Sequence, residues 1–153
     1  MKSKEHWEKV YTAKAPDNVS WFQPHAEMSM RLIHDTGLGC DAAIIDVGGG
    51  ASTLVDDLLD DGYRALTVLD LSAAALNETL RRLGTKGESV RWMEADITQA
   101  VFEPYSFDVW HDRAVFHFLT TDEDRKAYVK QVLRALKPGG HVIMATFGSN
   151  GPT

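Results

Sequence analysis

Ala42-Ala43-Ile44-Ile45-Asp46-Val47-Gly48-Gly49-Gly50-Ala51-Ser52-Thr53 is the stretch that decides how this chain folds. Ala43, Ile44, Ile45 and Val47 make a short apolar, partly β-branched run, the pattern of a central parallel strand covered on both faces. Three consecutive glycines follow, and they let a ligand come close to the main chain. Leu54, Val55, Leu58 and Leu59 then recur at helical spacing, with Ala51 or Ser52 opening the helix. The unit is strand, glycine loop, helix, and in open α/β sheets ligands bind at that crevice. A glycine turn without a ligand shares the local pattern, so the surroundings must decide.

Residues 63–71, YRALTVLDL, form a second apolar strand ending in Asp70. That acid lies about 20 residues past the glycines, where dinucleotide folds place the carboxylate that holds a ribose diol. A ribose ligand is therefore expected. A dinucleotide fingerprint would need glycine at the position of Thr53. Asp46, just before the loop, would also repel a pyrophosphate, whereas it suits a cationic ligand bearing an ammonium and a sulfonium.

On these residues the chain resembles the class I S-adenosylmethionine-dependent methyltransferases, whose first motif has the form D/E-x-G-x-G-x-G. Here it stands as Asp46-Val47-Gly48-Gly49-Gly50-Ala51-Ser52, with Ser52 replacing the last glycine. The resemblance implies S-adenosylmethionine as cofactor, its amino-acid end at Asp46, Gly48, Gly49 and Gly50 and its ribose at Asp70 beside Leu71. Small methyltransferases of this kind, including lysine methyltransferases acting on elongation factor or citrate synthase, carry W-[FY] ahead of the sheet. By that resemblance Trp21, Phe22 and Gln23 cover the methionine end of the cofactor; on the residues alone, two aromatics plugging the sheet edge is the alternative. Asp96 and Ile97 fall in the family's A-D-[IVL] pattern, which implies Asp96 near the adenine amino group and Ile97 against the ring or offering its amide. Lys137-Pro138-Gly139-Gly140 leading into an apolar strand is a further likeness.

The 153 residues suit one domain with a real core. Sixteen basic against 22 acidic residues give a net charge of −6, which disfavours nucleic-acid binding through phosphate neutralisation. A single cysteine, Cys40, rules out an intramolecular disulfide and a CxxC metal or redox site. No apolar run approaches the roughly 20 residues of a membrane span. The charged N-terminus, MKSKEHWEKV, has no apolar signal core, so a cytoplasmic protein is expected.

Residues 3–14 carry Trp7, Val10 and Tyr11 at helical spacing, and a second helix over 24–35 runs through Ala26, Met28, Met30, Leu32 and Ile33. Together they predict a helical cap or lid over residues 1–40, ahead of a cofactor-binding core over 41–153. Helices are expected over 72–83 and from Thr121 or Asp122 to Leu136, and strands over 89–93, 107–112 and 141–147. Strand alternates with helix throughout, so the fold class is α/β, a doubly wound parallel sheet; the resemblance implies a Rossmann-like sheet of about five strands in the order 3-2-1-4-5. The family normally has seven strands, and no residues remain here for the last two. The fifth would then be an exposed, unblunted edge, and a homodimer through it is expected.

Candidate catalytic groups cluster after the fourth strand. His111 can act as a base near neutral pH, Asp112 can orient a cationic amine, and Arg113 can hold an acidic substrate. His117, in AVFHFL, fits a packed histidine better, and His111, Asp112 and His117 do not have an established metal-ligand spacing, so no metal is expected. The expected function is S-adenosylmethionine-dependent methyl transfer to a small molecule or a protein side chain. A cofactor-binding module without activity and an NAD-dependent oxidoreductase are the alternatives, the latter opposed by Asp46 and the absent third glycine.

Overall fold

In the computed structural model the described residues are 22–50, 52–113 and 115–145. They form one five-stranded parallel sheet flanked by helices: α1 (Phe22–Asp35), β1 (Ala43–Val47), α2 (Leu54–Asp60), β2 (Ala65–Asp70), α3 (Ala73–Leu83), β3 (Arg91–Glu94), β4 (Phe107–Arg113), α4 (Asp122–Ala135) and β5 (Leu136–Ala145). The strand order is 3-2-1-4-5, as the family resemblance implies. The expected helix over 3–14 and Trp21 lie outside the described residues.

Alternation along the strands builds two cores. Ile44, Val68 and Val109 point to one face, where they meet Ile33 of α1 and Leu54, Val55 and Leu58 of α2. Ile45, Leu69 and Trp110, one residue on in each strand, point to the other face and pack with Phe102, Leu119 and Tyr128. Successive side chains of a strand project to opposite sides, so a strand covered on both faces carries apolar residues in succession, and a polar one there needs a partner. Fully burying each such side chain contributes about 1.5–3 kcal/mol.

Helix ends follow local chemistry. The Ser72 hydroxyl accepts from the Ala75 amide at 3.1 Å and starts α3, and Gly84 ends it at φ +61°, a conformation that costs glycine little. Thr121 caps α4 through the Asp124 amide at 3.1 Å.

One expectation needs correction. The last strand begins at Leu136 rather than His141: Leu136 pairs with Phe107 and His141 with Val109, so Lys137-Pro138-Gly139-Gly140 loops out as an irregularity within one strand. In α1 the apolar positions Met28 and Leu32 are exposed, at 53% and 40%, while Ser29 and Ile33 are buried at 1% each. The helix thus turns a serine inward, and something polar must receive it.

Candidate functional site

The C-terminal ends of β1 and β4 lie side by side, with Asp46 in register with His111 and Val47 with Asp112. Since β2 flanks β1 on the other side, this is the point where strand order reverses and a crevice opens. The glycine loop fills it. Gly48 sits at φ +78° with its amide donating to the Leu69 carbonyl at 2.7 Å, and a Cβ there would lie 2.3 Å from the Val115 methyl. At Gly49 a Cβ would stand 2.1 Å from Asp46 Oδ2. The Gly50 amide donates to Asp70 Oδ2 at 3.0 Å, and its carbonyl accepts from the Thr79 hydroxyl. The loop therefore runs main chain first between two carboxylates, with no room for side chains.

Asp46 is 2% exposed. His111 Nδ1 meets its Oδ1 at 2.8 Å, while Oδ2 is buried and has no hydrogen-bond partner among the described residues. Such an unmatched acceptor costs about 1–3 kcal/mol, more when charged, and it is the kind of atom a ligand cation satisfies. His111 is itself fully buried, and its Nε2 meets Ser29 Oγ of α1 at 2.8 Å.

Asp70 is 4% exposed and accepts from the Gly50 and Ser72 amides at 3.0 and 2.9 Å, one on each oxygen. Burial pushes its carboxyl up to about 6, against the lowering effect of those amides. Leu71 beside it is half-buried.

The remaining expected residues divide. Asp96 Oδ1 accepts from both the Thr98 amide, at 2.8 Å, and the Thr98 hydroxyl, at 2.7 Å. Ile97 is 1% exposed and packs in the core, with its carbonyl taking the Gln131 side-chain amide at 2.8 Å. Asp112 is fully buried and accepts from the Val115 amide at 2.6 Å, the Phe116 amide at 3.0 Å and the Tyr128 hydroxyl, a structural anchor for the turn over Phe116–Phe118. Arg113 is 8% exposed at the end of β4. Trp21 and the side chains of Phe22 and His117 lie outside the described residues. Among the described residues no group of three or more His, Cys, Asp or Glu could hold a metal ion, and no helix is long and apolar enough to cross a membrane.

Ser29, Thr79 and Tyr128 are the site residues that sequence reasoning missed. For Ser29 a signal existed: it shares a helical face with Ile33, four residues on. Thr79 and Tyr128 sit among ordinary helix residues and carry no such mark.

A family model described as a methyltransferase domain matches residues 44–140. The chain is 25% identical over 141 residues, 92% of its length and 20% of the relative's, to the eEF1A lysine and N-terminal methyltransferase of Mus musculus. It thus spans about a fifth of the length of that curated relative. Among solved structures, it is similar to a SAM-dependent methyltransferase from Methanosarcina mazei, with TM-score 0.65 and 27% identity over 78% of this chain and 58% of that one. Phosphoethanolamine N-methyltransferase 1 of Haemonchus contortus, in complex with phosphoethanolamine and S-adenosylhomocysteine, has the same fold, with TM-score 0.75 and 16% identity over 96% of this chain and 32% of that one.

Proposed function

The chain belongs to the methyltransferase domain family, with S-adenosylmethionine as cofactor, and from that premise we propose that it moves a methyl group to a nitrogen nucleophile on a protein side chain or a small molecule. The observation that carries the reading is Asp46 Oδ2, a buried carboxylate oxygen beside the glycine loop that lacks a partner among the described residues. S-adenosylmethionine, when bound, supplies a methyl on a sulfonium, which an in-line nucleophile displaces. Asp46 would take the ammonium of its amino-acid end, and the bare main chain of Gly48, Gly49 and Gly50 lets that end approach. Asp70, at the end of β2, would accept from the ribose hydroxyls. Asp96, with the backbone of Ile97, would meet the adenine edge.

Neither His111 nor Asp112 has the surroundings of a base. Both ring nitrogens of His111 are engaged, and Asp112 takes three donors. We therefore read both as residues that hold the site, with catalysis resting on placing two reactants in near-attack geometry. Arg113, at the end of β4, is proposed as the residue that holds an acidic acceptor. The nitrogen acceptor follows the curated relative, named for lysine and N-terminal methylation.

Calorimetry tests the seat. S-adenosylhomocysteine should bind and NAD should not, and Asp46→Asn, which keeps size and removes charge, should weaken S-adenosylhomocysteine about tenfold or more. Binding of NAD alone would sink the proposal. A methyl-transfer assay against lysine peptides and small amines then tests the acceptor.

A further inference from the structure

Ser29, His111 and Asp46 form a hydrogen-bonded line, Oγ to Nε2 at 2.8 Å and Nδ1 to Oδ1 at 2.8 Å, that runs from α1 to the head of the glycine loop. All three residues are 2% exposed or less. The order of groups is that of a nucleophilic serine site, but both ends are buried against protein, so a positioning device is the chemistry it can perform.

Asp46 and His111 are register partners on adjacent parallel strands, which brings their side chains out on the same face of the sheet. An ionised Asp46 oxygen can only accept, so the contact places a proton on Nδ1, donating to the carboxylate, while Nε2 meets the Ser29 hydroxyl. Gly49 confines the other oxygen, because any side chain there would overlap it.

We infer that His111 and Ser29 are positioning residues that pin one oxygen of Asp46 so that the other is held ready for a ligand ammonium, and that they tie this carboxylate to α1. The inference rests on the cofactor seat proposed above and assigns a role to two residues beyond it. Rotation of the Asp46 carboxyl would swap or tilt its oxygens; the bond to Nδ1 opposes that, and the bond from Ser29 keeps the ring from turning. The amino-acid end of a ligand should feel these residues, and its adenosine end should not.

The experiment measures two ligands against four proteins by calorimetry. S-adenosylhomocysteine carries the ammonium; methylthioadenosine has the same adenosine and sulfur without it. The proteins are wild type, Ser29→Ala, His111→Asn, which can keep a donor toward Asp46 but does not reach Ser29, and His111→Leu, which loses both bonds. S-adenosylhomocysteine should weaken by about threefold in Ser29→Ala and His111→Asn and by about tenfold or more in His111→Leu, with methylthioadenosine changing by less than about twofold throughout. Without ligand, nitrogen NMR should show the Nδ1–H form of His111 in wild type and a mixture of tautomers in Ser29→Ala. Should His111→Leu fail to fold, the two milder variants and the NMR decide. Equal losses for both ligands, unchanged S-adenosylhomocysteine binding in Ser29→Ala and His111→Asn, or an Nε2–H tautomer in wild type would overturn the inference while leaving the cofactor seat standing. A wild-type chain that bound neither ligand would overturn both.

Discussion

The Tyr128 hydroxyl donates to Asp112 Oδ2 while its own oxygen accepts the Trp110 indole N–H at 2.9 Å, so one phenol joins α4 to two neighbouring residues of β4. The Trp110 and Tyr128 rings meet nearly edge to face, with centroids 5.7 Å apart. Burial raises the Asp112 carboxyl above its ordinary range, and burial together with the Asp112 charge raises the Tyr128 phenol. Tyr128→Phe keeps the ring and strands an indole N–H and part of a carboxylate's bonding. Urea unfolding should show a loss of about 1–3 kcal/mol, with S-adenosylhomocysteine affinity little changed. A loss of affinity without a loss of stability would show instead that Asp112 belongs to the ligand site.

Gly49→Ala separates fold from seat. Its Cβ would stand 2.1 Å from Asp46 Oδ2, and no positive φ constrains the backbone there, so the side chain of Asp46 must move while the loop can persist. The expected result is a weakening of S-adenosylhomocysteine by about tenfold or more with a cooperative unfolding transition retained. Unchanged affinity would remove Asp46 from the ligand site.

Asp70 makes binding depend on pH. Its carboxyl is raised from 3.8 to about 6 by burial, so it holds its proton more tightly folded than unfolded. Between these values the native state binds more protons, and this group's contribution to stability falls as pH rises through the window. Ligand binding runs the other way, because ribose hydroxyls donate best to the ionised form. S-adenosylhomocysteine affinity should fall as pH drops below about 6, and Asp70→Asn should bind more weakly with a flat profile over that range. A wild-type profile equally flat between pH 5 and 7 would remove Asp70 from the ribose site.

Parts of this site stood in the sequence because they are local. Strand, glycines and helix occupy consecutive residues from Ala43 to Asp60, and the period of two that makes β1, β2 and β4 apolar on both faces is visible in each strand alone. The role of His111 was not visible in that way. Its position at a strand end suggested a base, and only its contacts with Asp46, 65 residues away, and Ser29, 82 residues away, show both nitrogens spent. The surroundings of Asp112 were hidden in the same way: its three donors come from a turn and a helix that follow it, a closure no spacing rule encodes. Which side of α1 turns inward was not legible either: Met28 and Leu32 are exposed, while the inward Ser29 meets a histidine far along the chain.

The last prediction concerns β5. Among the described residues it stands at one end of the sheet, paired with β4, and Val142 and Met144 on it are 45% and 41% exposed. These two side chains line, with Phe116, Tyr128, Val129, Val132 and Leu133, an apolar groove of about 240 Å³ between the strand and α4. An edge strand offers unpaired main-chain groups, and natural edges are usually blunted by lysine, proline or a covering segment. From His141 to Met144 there is no lysine or proline. We propose a second copy as the occupant: antiparallel pairing of β5 with itself is self-complementary about a twofold axis and sets Val142 and Met144 of the two copies on one continuous face. Ile143 points inward and is 7% exposed, so a charge there would attack the core rather than the edge. The test belongs at its neighbours. Light scattering at micromolar concentration should give about twice the chain mass of 17.0 kDa, and Met144→Lys should halve it while leaving the unfolding midpoint of the monomer nearly unchanged. A wild-type mass of 17.0 kDa would rule the pairing out.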